Sequence, residues 1–439
     1  MNKSAVAKKK RIGKRALIIA LVMVVIAGGC IASYSVFLNP YRGVTATFGP
    51  TRELHQTITK QQAEQDLDYL MNRIRERHPA WLDGSDDLVF RVTEQYQTEL
   101  ANLNESETVL SLWQAAARIC AVLEDGHTNV WINPADERLY INDFTQLGQY
   151  GTPAKINHTD TDELYRVFLT QFPYETEAYA RSIFKKLILR RQYLEFFGVD
   201  TAEGVTFTFD TPEGPAEYLY TFVAAPEIIG GNVSGTGEWV SYTIDTANDT
   251  GVFTLTECNP NEEYLSTLDE FFGKVFENGL SNVIVDLRGN GGGNSRVANE
   301  FLRYVDVDSY RAWDSAVRFG PILIHNKDIV KKNDRKETVF DGNLYVLTDL
   351  HSYSSAMDFA MLVGDNDIGV LVGEASGNMP SSYGDVLSFQ TPQAGLCVGI
   401  SYKKWFRIDQ SKSESPLTPD YECAPEQALE KAYELIHKT

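Results

Sequence analysis

A glycine-rich stretch is the first place where the sequence could do chemistry. "DLRGNGGG" (286–293) follows a short apolar run and contains four glycines. Glycines after a strand can hold a phosphate, form a plain turn, or present bare amides to a developing negative charge. No Gly-Lys-Ser/Thr follows, and Asn294 breaks the GxGxxG spacing of dinucleotide sites. The nucleotide interpretation is therefore the weakest, and an oxyanion loop is favoured over a plain turn, which needs fewer glycines.

A pair of serines is the second such place. Ser354 and Ser355 lie in "SYSSAMDFA" (352–360), where an apolar strand pattern gives way to a helical one. Free backbone N–H groups and the positive helix end favour a nucleophilic serine whose neighbouring amide helps to bind an oxyanion. Serine is also a preferred N-cap residue, so on this stretch alone capping explains it at least as well.

A serine nucleophile needs a base, and His127 is the first candidate. It follows an Asp-Gly turn in "LEDGHTNV" (123–130) and precedes a strand-like run. Most single histidines are structural, and His351 is close in sequence to the serines without being a better choice. Lys403 and Lys404 are the other conceivable bases.

A possible third member of the site is Glu414. It lies in "SESPLTPDY" (413–421), which two prolines make rigid and extended. An acid in such a segment can orient a catalytic group. A solvated loop acid is the alternative interpretation, and the segment itself does not exclude it.

The N-terminus has the composition of a membrane anchor. Residues 1–15 contain seven Lys and Arg and no acid, and residues 16–38 contain no charge. Twenty-three uncharged residues are enough to span a bilayer core as a helix. The basic flank predicts a cytoplasmic N-terminus and a catalytic part outside the plasma membrane. A cleaved signal peptide is the alternative, which the length of the apolar run disfavours.

The rest of the chain is strongly acidic. Its 401 residues contain 33 Lys and Arg against 60 Asp and Glu, a net charge of −27. This excess argues against binding to nucleic acid or to anionic lipid, because phosphates need basic partners. Its four cysteines include no CxxC pair, so we expect no zinc site and no required disulfide.

The order of patterns predicts an α/β protein with several parts. Residues 173–198 read as one long helix, and "GVTFTFDTPEGPAEYLYTFV" reads as a hairpin that turns at Pro-Glu-Gly. From about 240 onwards strands and helices alternate, which indicates layered α/β packing. The expected divisions are a cytoplasmic tail 1–15, a transmembrane signal-anchor 16–38, a linker 39–57, a helical domain 58–134 with the histidine motif, an insert 135–235 and an α/β core 236–439.

The four stretches together, with "VGEASGN" and "PEQALEKAYELI", resemble the C-terminal processing (tail-specific) serine peptidases, in the branch that includes the tricorn core. The resemblance extends over about residues 58–439 and is diffuse between 135 and 240. It implies a ClpP/crotonase-like α/β core. Residues 135–225 resemble a degenerate PDZ-like insert, although no clear carboxylate-binding loop is visible there, which puts recognition of C-termini in doubt.

The resemblance also implies roles for individual residues. Ser354 is then the nucleophile, and the amides of Ser355 and of Gly292 form the oxyanion hole. Met379 stands where the processing branch has a lysine, so His127 takes the role of base, as in the tricorn-like branch. The supporting acid is expected at Glu414, and substrate contacts are expected at Arg288, Gly291 and Gly293.

These expectations combine into a membrane-anchored serine endopeptidase that hydrolyses proteins or peptides without a metal or an organic cofactor. The first alternative is a catalytically inactive member that binds peptide or another ligand. The second is a crotonase-like acyl enzyme, which would share the two-amide oxyanion hole but lack the Ser/His pair. Because His127 precedes Ser354 by 227 residues, the helical domain must fold back over the α/β core.

Overall fold

The structure, a computed structural model, describes residues 21–231 and 237–438. Residues 1–20, which hold the predicted basic tail and the start of the anchor, lie outside the described residues. The α-helices after residue 38 span Lys60–Arg77, Asp86–Ala101, Val109–Ala121, Thr145–Tyr150, Thr161–Leu169, Glu177–Leu187, Arg191–Phe196, Glu262–Asn278, Arg296–Leu302, Ser355–Gly364 and Ala428–Ile436. Short 3-10 turns span Pro79–Trp81, Ala225–Glu227, Gln410–Lys412 and Pro425–Gln427.

Six strands form what we call the core sheet. In spatial order they are Val240–Asp245, Thr250–Leu255, Asn282–Asp286, Asn343–Thr348, Val370–Gly373 and Tyr421–Glu422. The first pair is antiparallel and the remaining pairs are parallel. The strands expected from the sequence at 251–256, 282–287, 344–348 and 369–372 lie here, each within one residue of the observed bounds.

Helices cover both faces of the core sheet. Along each central strand, side chains alternate between the two faces because a strand has a period of two residues. Val283 and Val285 face the cluster that contains the helices Glu262–Asn278, Arg296–Leu302 and Ser355–Gly364. Ile284 faces a second cluster, formed with the C-terminal helix Ala428–Ile436. The predicted α/β layering is therefore present.

A second sheet packs beside the core sheet. Its strands, in spatial order, are Ile322–Asn326, Asp314–Phe319, Cys397–Phe406 and Tyr383–Gln390, with Asn129–Trp131 paired to the remaining length of Cys397–Phe406. The short strand Asn129–Trp131 comes from the N-terminal half of the chain. It links the predicted helical domain to the second sheet directly.

A shared hydrophobic core extends through the N-terminal half of the chain and into the second sheet. One hydrophobic core joins residues from 58 to 222 with residues 387–402 of the second sheet. Within it lies an antiparallel insert sheet of Thr159–Asp160, Lys155–Ile156, Val205–Thr211 and Gly214–Tyr220. The hairpin predicted at Pro212 and Glu213 is confirmed. Three further strand pairs join Thr57–Thr59 to Ser106–Thr108, Leu139–Ile141 to Phe222–Ala224, and Ser309–Arg311 to Val330–Lys332.

The long helix predicted over 173–198 is wrong in one respect. It consists of two helices, Glu177–Leu187 and Arg191–Phe196, separated at residues 188–190. The Leu189 carbonyl oxygen accepts a hydrogen bond from the Ile141 nitrogen at 2.9 Å, and Arg190 forms a bridge with Tyr140. Pairing with the strand Leu139–Ile141 thus uses backbone groups that a continuous helix would need.

The first described element is an apolar helix, Leu21–Leu38, whose mean hydropathy is 2.2. Its length and composition allow it to span a bilayer, as they do for a signal sequence. The segment after it, expected as a linker, packs on the protein. The Thr45 nitrogen donates to the Ser388 carbonyl oxygen at 2.8 Å, and the Tyr41 and Tyr402 hydroxyls lie 2.9 Å apart.

Candidate active site

Two neighbouring strands of the core sheet carry the glycine loop and the serine turn. Asn282–Asp286 and Asn343–Thr348 are parallel, with Asp286 opposite Leu347. Because parallel strands end at the same edge of a sheet, the two loops that follow them emerge side by side. The Leu287 nitrogen then donates to the Leu347 carbonyl oxygen, and the Tyr353 nitrogen to the Asn290 carbonyl oxygen.

Ser354 occupies a strained turn at the start of the helix Ser355–Gly364. Its φ is +54° and its ψ is −123°, a conformation that residues other than glycine rarely adopt. The buried Asn378 side chain accepts a hydrogen bond from the Ser354 nitrogen at 2.9 Å. The Ser354 side chain makes no capping hydrogen bond, so the N-cap interpretation does not explain this serine. Such strain at a half-buried polar residue is typical of functional sites.

The glycine loop packs directly against the serine turn. Gly292 has a φ of +94°, and a Cβ there would lie 2.6 Å from the Tyr353 carbonyl oxygen and 2.9 Å from the Ser355 nitrogen. The Ser355 hydroxyl donates to the Gly293 carbonyl oxygen at 3.0 Å and ties the two loops together. A side chain at Gly292 would therefore force the loops apart.

Among the described residues, the glycine of the loop that lines the cavity and has an unused amide is Gly293 rather than Gly292. The Gly292 N–H donates to the side-chain oxygen of Asn290 at 2.9 Å, and Gly292 is buried. Gly293 is exposed and lines the cavity described below, and no hydrogen bond uses its N–H within residues 21–231 and 237–438. Ser355, the first residue of its helix, likewise has an N–H without an intrahelical acceptor. Both residues line the cavity, and neither amide has a partner among the described residues.

The other two residues expected to contact substrate lie away from the cavity. Arg288 is engaged in an ion pair with Asp286 at 2.6 Å and donates to the carbonyl oxygen of Pro425. It therefore ties the loop to the C-terminal segment. Gly291 is exposed, and a Cβ there would meet no atom within 4 Å.

His127 reaches the same region through the second sheet. It lies two residues before the strand Asn129–Trp131, whose Asn129 pairs with Gly399. The Thr128 hydroxyl accepts a hydrogen bond from the Ser401 nitrogen at 3.0 Å, and both residues are fully buried. Long-range strand pairing thus sets the position of the histidine.

Ser354 and His127 line one cavity of about 550 Å³. Gly293, Ser355 and Asn378 also line it, so the candidate nucleophile, base and oxyanion amides share one space. The fold-back expected from the sequence is therefore present.

The His127 ring is enclosed and lies near two acids. Neither ring nitrogen makes a hydrogen bond of good geometry to a described residue. Nδ1 lies 3.8 Å from the nearer oxygen of Asp125 and 3.9 Å from that of Glu175. Burial lowers the pKa of His127, while the negative charge of Asp125 partly offsets that effect. The ring is thus favoured in the neutral form that a general base requires.

Glu175 is a buried acid that lies close to the Nδ1 atom of His127. Its side chain is 4% exposed. One oxygen accepts from the Gly126 nitrogen at 3.2 Å, and the other accepts from the Met379 nitrogen at 2.8 Å. Burial, with the charge of Asp125 added, raises the pKa of Glu175 to about 8. Glu175 is therefore largely protonated at neutral pH.

Asp125 belongs to a buried pair with His78. The two side chains are 0% exposed, and the His78 Nε2 lies 3.2 Å from an oxygen of Asp125. The other ring nitrogen of His78 accepts from the Ala80 nitrogen, so Nε2 carries the proton and donates to Asp125. Burial alone would raise the pKa of Asp125, but the hydrogen bond that His78 donates to it is the largest of the effects that together outweigh burial and lower the pKa to about 2. Asp125 is thus a fixed negative charge beneath His127.

Glu414 does not occupy the supporting position expected for it. It is exposed, and its described side-chain partner is the Ser413 hydroxyl at 3.5 Å. The expected segment instead supports the serine turn from below, because the Leu417 nitrogen donates to the Ser376 hydroxyl and that hydroxyl donates to the Asn378 carbonyl oxygen. Within the described part of the chain, the acids that lie within 4 Å of a His127 ring nitrogen are Asp125 and Glu175.

The other conceivable bases are engaged elsewhere. Lys403 lines the cavity but forms an ion pair with Asp385 at 2.5 Å. Lys404 is paired with Asp83 at 2.8 Å. His351 lies beside the Ser182 hydroxyl at 2.9 Å and does not line the cavity.

Asp125, His127 and Glu175 could also hold a cation, because one ligand atom from each lies within 4.8 Å of the others. The set is one nitrogen and two carboxylate oxygens, which suits zinc or a similar divalent ion. It uses the Nδ1 side of His127, so such an ion would compete with the base for its supporting acids.

Sequence reasoning missed Glu175, Asn378 and the His78–Asp125 pair. Asp125 had a signal, since it stands two residues before His127 in the same turn. Glu175 had none, because an acid at the start of a helical pattern is ordinary. His78 stands among unremarkable neighbours in the sequence, and only the packing of the chain brings it to Asp125.

Residues 249–423 match the model of Peptidase family S41. This match confirms the resemblance to the C-terminal processing peptidases at the level of that family, and with it a serine-type peptidase. No curated protein matches the chain by sequence.

Several solved structures align with about 85% of this chain. One is described as mature CPAF complexed with lactacystin, with 12% identity, a TM-score of 0.59, and coverage of 86% of this chain and 97% of that one. The photosystem II D1 C-terminal processing protease has 13% identity, a TM-score of 0.46, and coverage of 85% and 97%. The tricorn protease has 14% identity, a TM-score of 0.40, and coverage of 86% and 37%. The likeness to CPAF shows a shared fold.

Proposed function

Since the chain is a serine peptidase of Peptidase family S41 by its residues 249–423, we propose that it hydrolyses peptide bonds with Ser354 as the nucleophile and His127 as the general base. The observation that carries this proposal is the single cavity that both residues line. The strained φ of Ser354 and the missing capping bond support its role, because they leave its hydroxyl available for reaction.

The reaction follows from the positions of these groups. The Ser354 hydroxyl attacks the peptide carbonyl carbon while His127 accepts its proton. The carbonyl oxygen becomes negative and receives hydrogen bonds from the amides of Gly293 and Ser355. His127 then gives the proton to the leaving amine, and an acyl-enzyme remains. Water, deprotonated by His127, attacks the ester and releases the second product.

We assign the oxyanion amide of the glycine loop to Gly293, one residue later than the sequence suggested. The Gly292 amide is already used by Asn290, and that bond helps to shape the loop. Each such donor contributes about 10²–10³ in rate.

Glu175 and Asp125 are the proposed supporting acids in place of Glu414. Both face Nδ1, which leaves Nε2 for exchange with the serine. Asp125 stabilises the positive charge that forms on the ring, and its own charge is held in place by His78.

We also propose that the helix Leu21–Leu38 anchors the enzyme in the plasma membrane, with the catalytic body outside. The basic residues 1–15 support this orientation. The net charge of the remaining chain agrees with a protein or peptide substrate and with no role in nucleic-acid binding.

The test is covalent labelling of the full-length chain in detergent with a fluorophosphonate probe. We expect labelling of the native chain and of Ser355→Ala, but none of Ser354→Ala. Ser355→Ala is the matched control because it keeps the backbone amide. A folded native chain without labelling would contradict the proposal and favour the ligand-binding alternative. A crotonase-like acyl enzyme would also remain unlabelled, but it would hydrolyse or transfer acyl thioesters.

A further inference from the structure

The catalytic cavity extends well beyond the nucleophile and the base. Its volume of about 550 Å³ exceeds what the Ser354 hydroxyl and a scissile peptide unit need. The additional wall is formed by Met357 and Asp358 on the helix and by Asp385, Val386 and Lys403 on the second sheet. This part can hold a substrate side chain next to the reacting carbonyl.

Asp358 lies one helical turn after Ser354. Residues four apart share a face of a helix, and their side chains tilt toward its N-terminus. The Asp358 side chain therefore projects toward the nucleophile, and it lines the same cavity.

The Asp358 carboxyl has no hydrogen bond or ion pair with a side chain or backbone group in the described part of the chain. Burial and the charge of Asp385 raise its pKa to about 8. Asp358 is half-buried. Partial removal of a carboxyl group from water without a partner is unfavourable, and a cation placed beside it offsets that cost.

Lys403, the cation that lines the cavity, is paired with Asp385 rather than with Asp358. Lys403 lies 2.5 Å from Asp385 and 5.1 Å from the centre of the Trp405 ring. Asp385 has a φ of +58°, and the pairing of its strand with Cys397–Phe406 is interrupted at this residue. This arrangement pairs Lys403 with Asp385 and leaves Asp358 as the acid of the cavity that has no cationic partner among the described residues.

We propose that Asp358 makes this cavity the pocket for a basic side chain, lysine or arginine, on the residue whose carbonyl is cleaved; this rests on the proposed peptidase function. Met357 and Val386 contact the methylene stem, and the carboxylate of Asp358 receives the cationic end. The acidic surface of the chain, with its net charge of −20, attracts basic substrates toward the cavity.

The test compares two peptidyl phosphonate probes that differ only in the side chain at this position, lysyl against leucyl. With the native full-length chain in detergent, we expect Ser354 to be labelled at least tenfold faster by the lysyl probe. In Asp358→Asn the preference should disappear, while leucyl labelling stays within about threefold of the native rate and shows that the variant is folded.

Asp367→Asn is the matched control, since Asp367 is exposed, follows the same helix and does not line the cavity. It should keep the native preference. Equal labelling of the native chain by both probes, or a faster leucyl reaction, would overturn the basic pocket and leave the peptidase function standing. No labelling by these probes or by the fluorophosphonate would overturn both.

Discussion

The two halves of the candidate site are built in different ways. The nucleophile half, residues 287–294 and 348–355, follows two adjacent parallel strands, and its loops bond to each other directly. The base half, residues 125–128 with Glu175, comes from the N-terminal half of the chain and depends on the pairing of Asn129–Trp131 with the second sheet. The nucleophile half is therefore a local arrangement of neighbouring loops, whereas the base half forms only when distant segments pack together.

The two halves also differ in what determines their properties: backbone geometry in the nucleophile half and charge in the base half. The nucleophile half is shaped by backbone conformation, with positive φ at Ser354 and Gly292. The base half is shaped by buried titratable groups with opposite pKa shifts, namely Asp125 and Glu175. Substitutions in the first half should act through shape at any pH, whereas substitutions in the second should act through pH-dependent charge.

The largest expected effect comes from removing the base. His127→Ala should lower kcat on a fluorogenic peptide by about 10⁴-fold, because Ser354 then has no group to accept its proton. The control is His351→Ala, which removes a histidine that is closer to Ser354 in sequence but outside the cavity, and it should stay within a few-fold of native. If His127→Ala kept a tenth of the activity, the base half would have no catalytic role.

The next effect tests shape in the nucleophile half. Gly292→Ala places a Cβ against the Tyr353 carbonyl oxygen and at an unfavourable φ, so it should displace the Gly293 amide and lower kcat by about 10²–10³-fold. Gly291→Ala is the control, because a Cβ there meets nothing within 4 Å. The loss should be the same at pH 6 and pH 9. Similar activities of the two variants would show that the close packing of the loop is not needed.

A smaller effect tests charge in the base half. Glu175→Gln imitates the protonated carboxyl, so near pH 6 it should act within a few-fold of native. Above pH 8 native Glu175 is ionised and stabilises protonated His127, so the variant should be about tenfold slower at pH 9. Glu414→Gln should follow the native profile in kcat measurements from pH 6 to pH 9. A profile altered by Glu414→Gln instead would restore the acid first expected from the sequence.

The smallest effect is on stability. The pKa of Glu175 is about 8 in the folded chain and near 4.5 when unfolded, so the folded state binds the proton more tightly between these values. Native stability should therefore fall as pH rises from 5 to 8, because folding then opposes ionisation. Glu175→Gln lacks this loss, and its Tm relative to native should rise by roughly 2–4 °C between pH 5 and pH 9. Glu414→Gln should show no such change, and a constant difference for Glu175→Gln would contradict the raised pKa.

The comparison also explains what could be predicted from the sequence. The strands of the core sheet and the helices that cover it have clear periodicities, so their positions and that of the serine turn could be predicted from the sequence. The family match agrees, since it covers residues 249–423 and therefore contains the nucleophile half but not His127.

Only part of the base half could be predicted from the sequence. His127 could be proposed by resemblance, but its partners come from distant segments without a pattern of their own. Glu175 is held near the ring by hydrogen bonds from the Gly126 and Met379 nitrogens, which lie 49 and 204 residues away in the sequence. The proposed oxyanion donor is Gly293 rather than Gly292 because the Gly292 N–H donates to the side chain of Asn290. The spacing of residues in the sequence does not reveal that hydrogen bond.

The packed segment after the apolar helix limits how far the enzyme can reach. With Tyr41 bonded to Tyr402 and Thr45 bonded to Ser388, residues 39 and 40 are the length between the proposed anchor and the first contact with the folded body, and they extend to at most about 7 Å. In a membrane the body would stay close to the lipid surface and could not swing outward like a tethered domain. Its substrates would then be chains that pass near the bilayer, such as the membrane-proximal parts of neighbouring proteins.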